Sequence, residues 1–87
     1  MNNNMETKDW ISTKDRLPET NNKIDNYTSC SDEVLICLNN NEVVTGRFYK
    51  IDYLTLTYWL STIGEYKYPN GLVTHWMKIV LPENKKL

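Results

Sequence analysis

The chain has 87 residues, 40% of them hydrophobic, 11% aromatic and 24% charged, which is the profile of one small globular domain with a single core. Ten Lys and Arg face 11 Asp and Glu, for a net charge of −1. That balance excludes acidic tails and basic nucleic-acid arms, and it gives no field that steers the chain toward DNA, RNA or an anionic membrane.

No run approaches the ~20 apolar residues of a membrane span, and the start, Met1-Asn2-Asn3-Asn4-Met5-Glu6, has neither the basic nor the apolar part of a signal peptide. A cytoplasmic location is expected. Residues 1–9 are polar and Asn-rich, so they read as a disordered tail ahead of one β-rich domain over 10–82. Order begins at Trp10-Ile11. Ser12-Thr13-Lys14-Asp15 has the S-x-x-D spacing that caps a first helical turn, and Pro18 stops that turn by disfavouring helical geometry at Leu17.

From Glu19 to Ser31 only Ile24 and Tyr27 are large and apolar, which predicts a long surface loop with one helical turn at most. Beyond it the apolar residues switch to period two, the pattern of strands. Glu33 to Leu38 and Glu42 to Tyr49 flank Asn39-Asn40-Asn41, a triplet able to adopt the left-handed conformations of a tight hairpin loop. A three-residue loop pairs Leu38 with Glu42 and Ile36 with Val44. Val34, Ile36, Val44 and Phe48 then share the buried face, and Glu33 stands opposite Arg47 on the other.

A third strand, Leu54 to Ser61, alternates Leu54, Leu56, Tyr58 and Leu60 with Thr55, Thr57, Trp59 and Ser61. The first set is expected to face the core. Tyr68-Pro69-Asn70-Gly71-Leu72 fits a type I turn with a glycine bulge, and pairing Tyr68 with Leu72 sets Glu65 opposite His75. The last strand, Leu72 to Val80, ends at Leu81-Pro82, and 83–87 form a charged tail. The expected fold is mainly β, a small antiparallel sheet or SH3-like barrel of about four strands with one short helical turn near the N-terminus. The alternative is an α+β sheet with a helix in 21–31.

Two phrases stand apart from this pattern: Trp10-Ile11-Ser12 with Asp15-Arg16-Leu17-Pro18-Glu19, and Val73-Thr74-His75-Trp76-Met77 with Leu81-Pro82-Glu83. Together they resemble the DUF551 family, small bacterial and bacteriophage proteins containing a domain of unknown function. Val34-Leu35-Ile36, Gly46 and Trp59 look like that family's middle strand, glycine and lone tryptophan. There are two departures: Lys78-Ile79-Val80 replaces the proline common after W-M, which lets the last strand run further, and the loop from Glu19 to Asp32 is longer than the usual turn. The resemblance implies a phage or prophage setting and carries over no activity, cofactor or catalytic residue.

His75 is the one histidine, inside a predicted strand, and reads as a structural group that hydrogen-bonds across the sheet; no partnered nucleophile and no ligand set can be argued for it. Asp15-Arg16 reads as a capped turn with an ion pair. Cys30 and Cys37, separated by six residues, lack the spacing of a redox or zinc pair, so two free thiols are expected, with no disulfide, metal or cofactor. Trp10, Leu17, Trp76 and Pro82 are expected to form a clasp between the two ends of the chain.

Trp59 is turned outward by the alternation of its strand. Either the 50–53 loop or the Asn-rich segment covers it, or it anchors an interface together with Arg47 and Tyr49, which project from the same face. The pattern therefore points to a non-enzymatic protein-interaction module that binds another protein, with self-association through the same patch or a sheet edge as a further outcome. The alternative is a single-stranded nucleic-acid-binding domain, with surface aromatics stacking bases. No P-loop, dinucleotide glycine pattern, zinc spacing or nucleophile elbow suggests an enzyme.

Overall fold

Asn41 adopts a φ of 73°, in the left-handed region, and reverses the chain between Val34–Leu38 (β4) and Val43–Ile51 (β5). The Leu38 amide donates to the Glu42 carbonyl at 2.9 Å, and Ile36 pairs with Val44 and Val34 with Gly46, so this hairpin has the expected register. The computed structural model describes residues 9–63 and 66–80. Around β5 it places one mainly β, open antiparallel sheet whose other strands are Ile11–Ser12 (β1), Asn22–Lys23 (β2), Thr28–Cys30 (β3), Leu56–Ser61 (β6), Lys67–Tyr68 (β7) and Val73–Lys78 (β8). The four longer strands are the four expected from period two. The expected tails and Pro82 of the clasp lie outside the described residues, apart from Asp9.

One edge of β5 carries β6, which in turn carries β7; the other carries β4 along its first half and β3 along its second. Between these two pairings Ser31, Asp32 and Glu33 oppose only Arg47 and Phe48, which makes a β-bulge. Side-chain parity flips through it. Glu33 falls inside the bulge rather than in a ladder opposite Arg47, whose guanidinium donates to the Ser31 carbonyl at 3.2 Å.

The segment expected to be a long loop holds the β2–β3 hairpin, and no helix forms in 21–31. Its turn needs neither glycine nor proline, because the Asp25 carboxylate accepts from the Tyr27 and Thr28 amides at 2.8 and 2.7 Å. Ser12 starts the expected turn near the N-terminus, its hydroxyl accepting from the Lys14 amide and its carbonyl from the Asp15 and Arg16 amides.

Two expectations about the second half are overturned. In β6 the parity is inverted: Trp59 is 1% exposed and Leu56 is 45% exposed, so the tryptophan is core and Leu56 is surface. The cause is the connection from Asp52 to Thr55, which closes through Thr55 at φ 52° and pairs Ile51 with Leu56, and hence Phe48 with Trp59. Tyr68 and Leu72 do not form a hairpin. Tyr68 pairs with Trp59, whereas β8 lies beside β4 and β1 at the far side of the sheet. Pro69 to Leu72 crosses between them as a 3-10 turn, and Glu65 lies outside the described residues. Four residues reach at most ~15 Å, so the sheet must curl until β6 and the end of β4 stand close together. The turn bridges them directly: the Asn70 side chain donates to the Thr57 carbonyl and hydroxyl, and the Leu72 carbonyl accepts from the Asn39 amide.

The concave side of this curl is the core, formed by Val34, Ile36, Leu38, Phe48, Trp59, Val73 and Trp76, with Ile11, Val44 and Tyr68 packed against it. Gly46 is part of the fit, since a Cβ there would lie 2.5 Å from the Leu60 carbonyl oxygen and 2.7 Å from Ile36 Cδ1. The clasp exists in altered form. β1 pairs with β8, and the Trp76 indole donates to the Arg16 carbonyl at 2.9 Å; Trp10 is half-buried, Pro18 is buried and Leu17 is exposed. β8 ends at Lys78, so the last strand gains no length from the missing proline.

Candidate binding face

The curl leaves its convex side without a covering element among the described residues. Along β5 the odd positions Arg47, Tyr49 and Ile51 point to that side, and the register brings Leu60, Tyr58 and Leu56 of β6 beside them. Of the expected patch, Arg47 and Tyr49 therefore share one face, whereas Trp59 is on the other side of the sheet, packed against Phe48. Tyr58 takes the place that had been assigned to Trp59. The inversion could have been read from Phe48: once the first hairpin puts Phe48 inside, a four-residue connection after Ile51 puts Trp59 inside as well.

The Tyr49 and Tyr58 rings stack in parallel, with centroids 5.2 Å apart and 1° between planes. Lys67 of β7 places its ammonium 4.7 Å from the Tyr58 centroid. On the other flank Cys30 of β3 is the register partner of Tyr49. A column thus crosses four strands in the order Cys30, Tyr49, Tyr58, Lys67, with Arg47 one step along β5. Burial pushes the Tyr49 phenol above its usual value of 10.0, the Cys30 thiol and the Tyr58 phenol add to this, and Arg47 opposes it. Tyr58 has both ring faces occupied, by Tyr49 and by Lys67. What the column offers outward is ring edges, phenol hydroxyls and two cations.

The same face continues over β4 and β8 with Leu35, Cys37, His75 and Met77, all half-buried. Cys37 and His75 are register partners, a juxtaposition that the sequence did not signal. Their hydrogen bonds run elsewhere: the Cys37 thiol lies 3.7 Å from the Leu38 carbonyl, and His75 Nδ1 lies 3.0 Å from Thr74 Oγ1. Both cysteines are free thiols, and the described residues hold no group of three His, Cys, Asp or Glu able to bind a metal.

A depression of about 310 Å³ opens beneath the clasp between Arg16–Glu19, the bulge and Lys78. Its charges are mixed, with Arg16 and Lys78 against Glu19, Asp32 and Glu33, and Trp76 and Pro18 form its apolar walls. The Arg16 guanidinium lies 5.9 Å from the Trp76 ring centroid, consistent with a structural clasp. Arg16 lines this depression and Asp15 does not. No helix among the described residues is long and apolar enough to cross a membrane.

A family model described as "Protein of unknown function (DUF551)" matches residues 9–84, most of the chain. No curated protein matches, and no solved structure matches.

Proposed function

The chain belongs to the DUF551 family, and from that premise we propose that it is a non-enzymatic protein-interaction module whose convex face binds an acidic surface of another protein. The observation that carries this reading is the column of Tyr49, Tyr58 and Lys67 with Arg47 beside it. Tyrosine, arginine and methionine are the side chains enriched at protein interfaces, and all three types occur on this face with few carboxylates among them. Two cations around stacked phenols suit a partner that presents Asp or Glu beside apolar groups.

A single-stranded nucleic acid would need exposed ring faces on which to stack its bases. The column holds Tyr58 between a ring and an ammonium, which favours a polypeptide. In a phage or prophage setting, such a module in the cytoplasm modulates a host or phage system by occupying one of its proteins.

The test is affinity capture from the native host with the tagged chain, run in parallel with Tyr58→Ser and Lys67→Glu. The expected result is one stoichiometric polypeptide that both variants lose. Capture unaffected by either substitution would sink the reading. So would tight binding of a single-stranded oligonucleotide that weakens with salt at a log-log slope of about −0.7 per phosphate.

A further inference from the structure

Away from the convex face, one end of the molecule is built from two neighbouring turns. Lys23-Ile24-Asp25 opens the β2–β3 turn and Lys50-Ile51-Asp52 opens the β5–β6 turn, the same triplet in each, and a tyrosine follows each one, Tyr27 and Tyr53. The two turns are fastened together. The Asp52 amide donates to the Tyr27 carbonyl at 2.9 Å, and the Tyr27 and Tyr53 rings meet edge to face with centroids 5.0 Å apart.

This end is more apolar than a solvent-facing tip needs to be. Tyr53 is 68% exposed, Tyr27 56%, Ile24 and Leu54 54% each, so the two turns leave four large apolar side chains open to water. Around them stand two lysines and two aspartates: Lys23, Ser29 and Lys50 follow one another in register, and Lys23, Lys50, Tyr27 and Asp52 line a common depression of about 270 Å³.

We propose that this end is a self-association surface whose partner is a second copy of the same chain, related by a two-fold axis. The charges select the occupant. An anionic membrane or a nucleic acid gains no net attraction from a rim whose two lysines are offset by Asp25 and Asp52, and an acidic or basic protein is matched by only half of it. A copy of this end turned by two-fold symmetry presents aspartates to lysines in both directions while the tyrosines and Leu54 meet at the centre, as an isologous interface requires. The eight side chains of this patch are fewer than the roughly 20–30 residues a side of a standard stable interface, so the dimer is weak and concentration-dependent.

Sedimentation equilibrium of the full chain from micromolar to millimolar concentration reads this directly. The mass is expected to rise from 10.3 kDa toward twice that value. Tyr53→Ser, at a position too exposed to carry the fold, is expected to weaken dimerisation about tenfold, the scale of an interface anchor. Lys50→Glu and Asp52→Lys are each expected to abolish it, and an equimolar mixture of the two to restore it as a heterodimer, because each then offers the sign that the other lacks. Circular dichroism of each variant confirms that it is folded. A chain that stays monomeric throughout overturns the proposal. A dimer indifferent to Tyr53→Ser but lost with Tyr58→Ser also overturns it, and so does a charge-reversed mixture that stays monomeric while both variants are folded.

Discussion

Phe48 and Trp59 face each other across β5 and β6 with ring centroids 4.8 Å apart and 54° between planes, and both are almost wholly buried. Tyr58, one residue earlier, points to the opposite side of the sheet. The pair therefore divides the molecule into an interior and the convex face that carries Tyr58. Trp59→Ala is expected to remove about 3–5 kcal/mol, enough to unfold a domain of this size, whereas Tyr58→Ser should leave most of the stability in place. Urea denaturation of the two variants side by side checks the division, and equal losses would contradict it.

Gly46 of β5 is flanked by its register partners Val34 of β4 and Ser61 of β6. Gly46→Ala is expected to cost about 1–3 kcal/mol by overpacking. The obstruction is double, one part a flexible side-chain end at Ile36 and the other a backbone carbonyl at Leu60. Trimming the first with Ile36→Val should therefore not rescue the alanine. A double variant no less stable than Ile36→Val alone would show that the carbonyl can move aside.

How much of this was legible in the sequence depended on what set each register. The β4–β5 hairpin could be read to the residue because Asn39-Asn40-Asn41 is a recognisable loop and both flanking strands alternate. β6 could not be read from its own alternation. Four aliphatic or tyrosyl positions were counted against one tryptophan, yet the face was decided by the Asp52–Thr55 connection, whose left-handed position is filled by a threonine that gives no signal. The β2–β3 hairpin was hidden because a carboxylate, Asp25, does the work usually announced by glycine. Pro69-Asn70-Gly71 looked like a hairpin turn, but it carries the chain from one flank of the curled sheet to the other, a distinction that depends on long-range curvature. For the candidate binding face, Arg47 and Tyr49 were legible from the first hairpin, and Tyr58 was lost along with the parity of β6.

Ser31 is 1% exposed and stitches the bulge: its amide donates to the Phe48 carbonyl, its hydroxyl accepts from the Phe48 amide at 2.9 Å, and that hydroxyl donates to the Asp32 carbonyl at 2.7 Å. Ser31→Ala strips a buried amide of its acceptor. The expected loss is about 1–3 kcal/mol by denaturant midpoint, together with faster hydrogen exchange at Phe48. Stability within error of the parent would mean that the bulge closes without this hydroxyl.

Trp76 holds the clasp in two ways, by filling the core and by donating its indole N–H to Arg16. Trp76→Phe keeps much of the ring and removes the donor, so it is expected to cost about 1 kcal/mol for the hydrogen bond plus a smaller packing loss. Trp76→Ala should cost roughly 3–5 kcal/mol. Thermal denaturation ranks the two, and a phenylalanine variant as damaged as the alanine one would place the clasp's strength in the hydrogen bond rather than in packing.

Asp25 governs the turn that carries half of the proposed self-association surface. The amides of Tyr27 and Thr28 hold its carboxyl below the usual value of 3.8, with Lys23 adding to the effect. A carboxylate with a depressed value in the folded state contributes stability above pH 3.8 that is lost as the pH falls through the lower folded value. Because the group is fully exposed, the effect is local to the turn. Exchange protection of the Tyr27 and Thr28 amides, corrected for intrinsic rates, is therefore expected to hold steady from neutral pH to about pH 4 and to fade on further acidification, while the Ile36 amide in the core stays protected. Asp25→Ala should abolish that protection at every pH. Protection that fades above pH 4, or that survives in the alanine variant, would show that the backbone alone holds the turn.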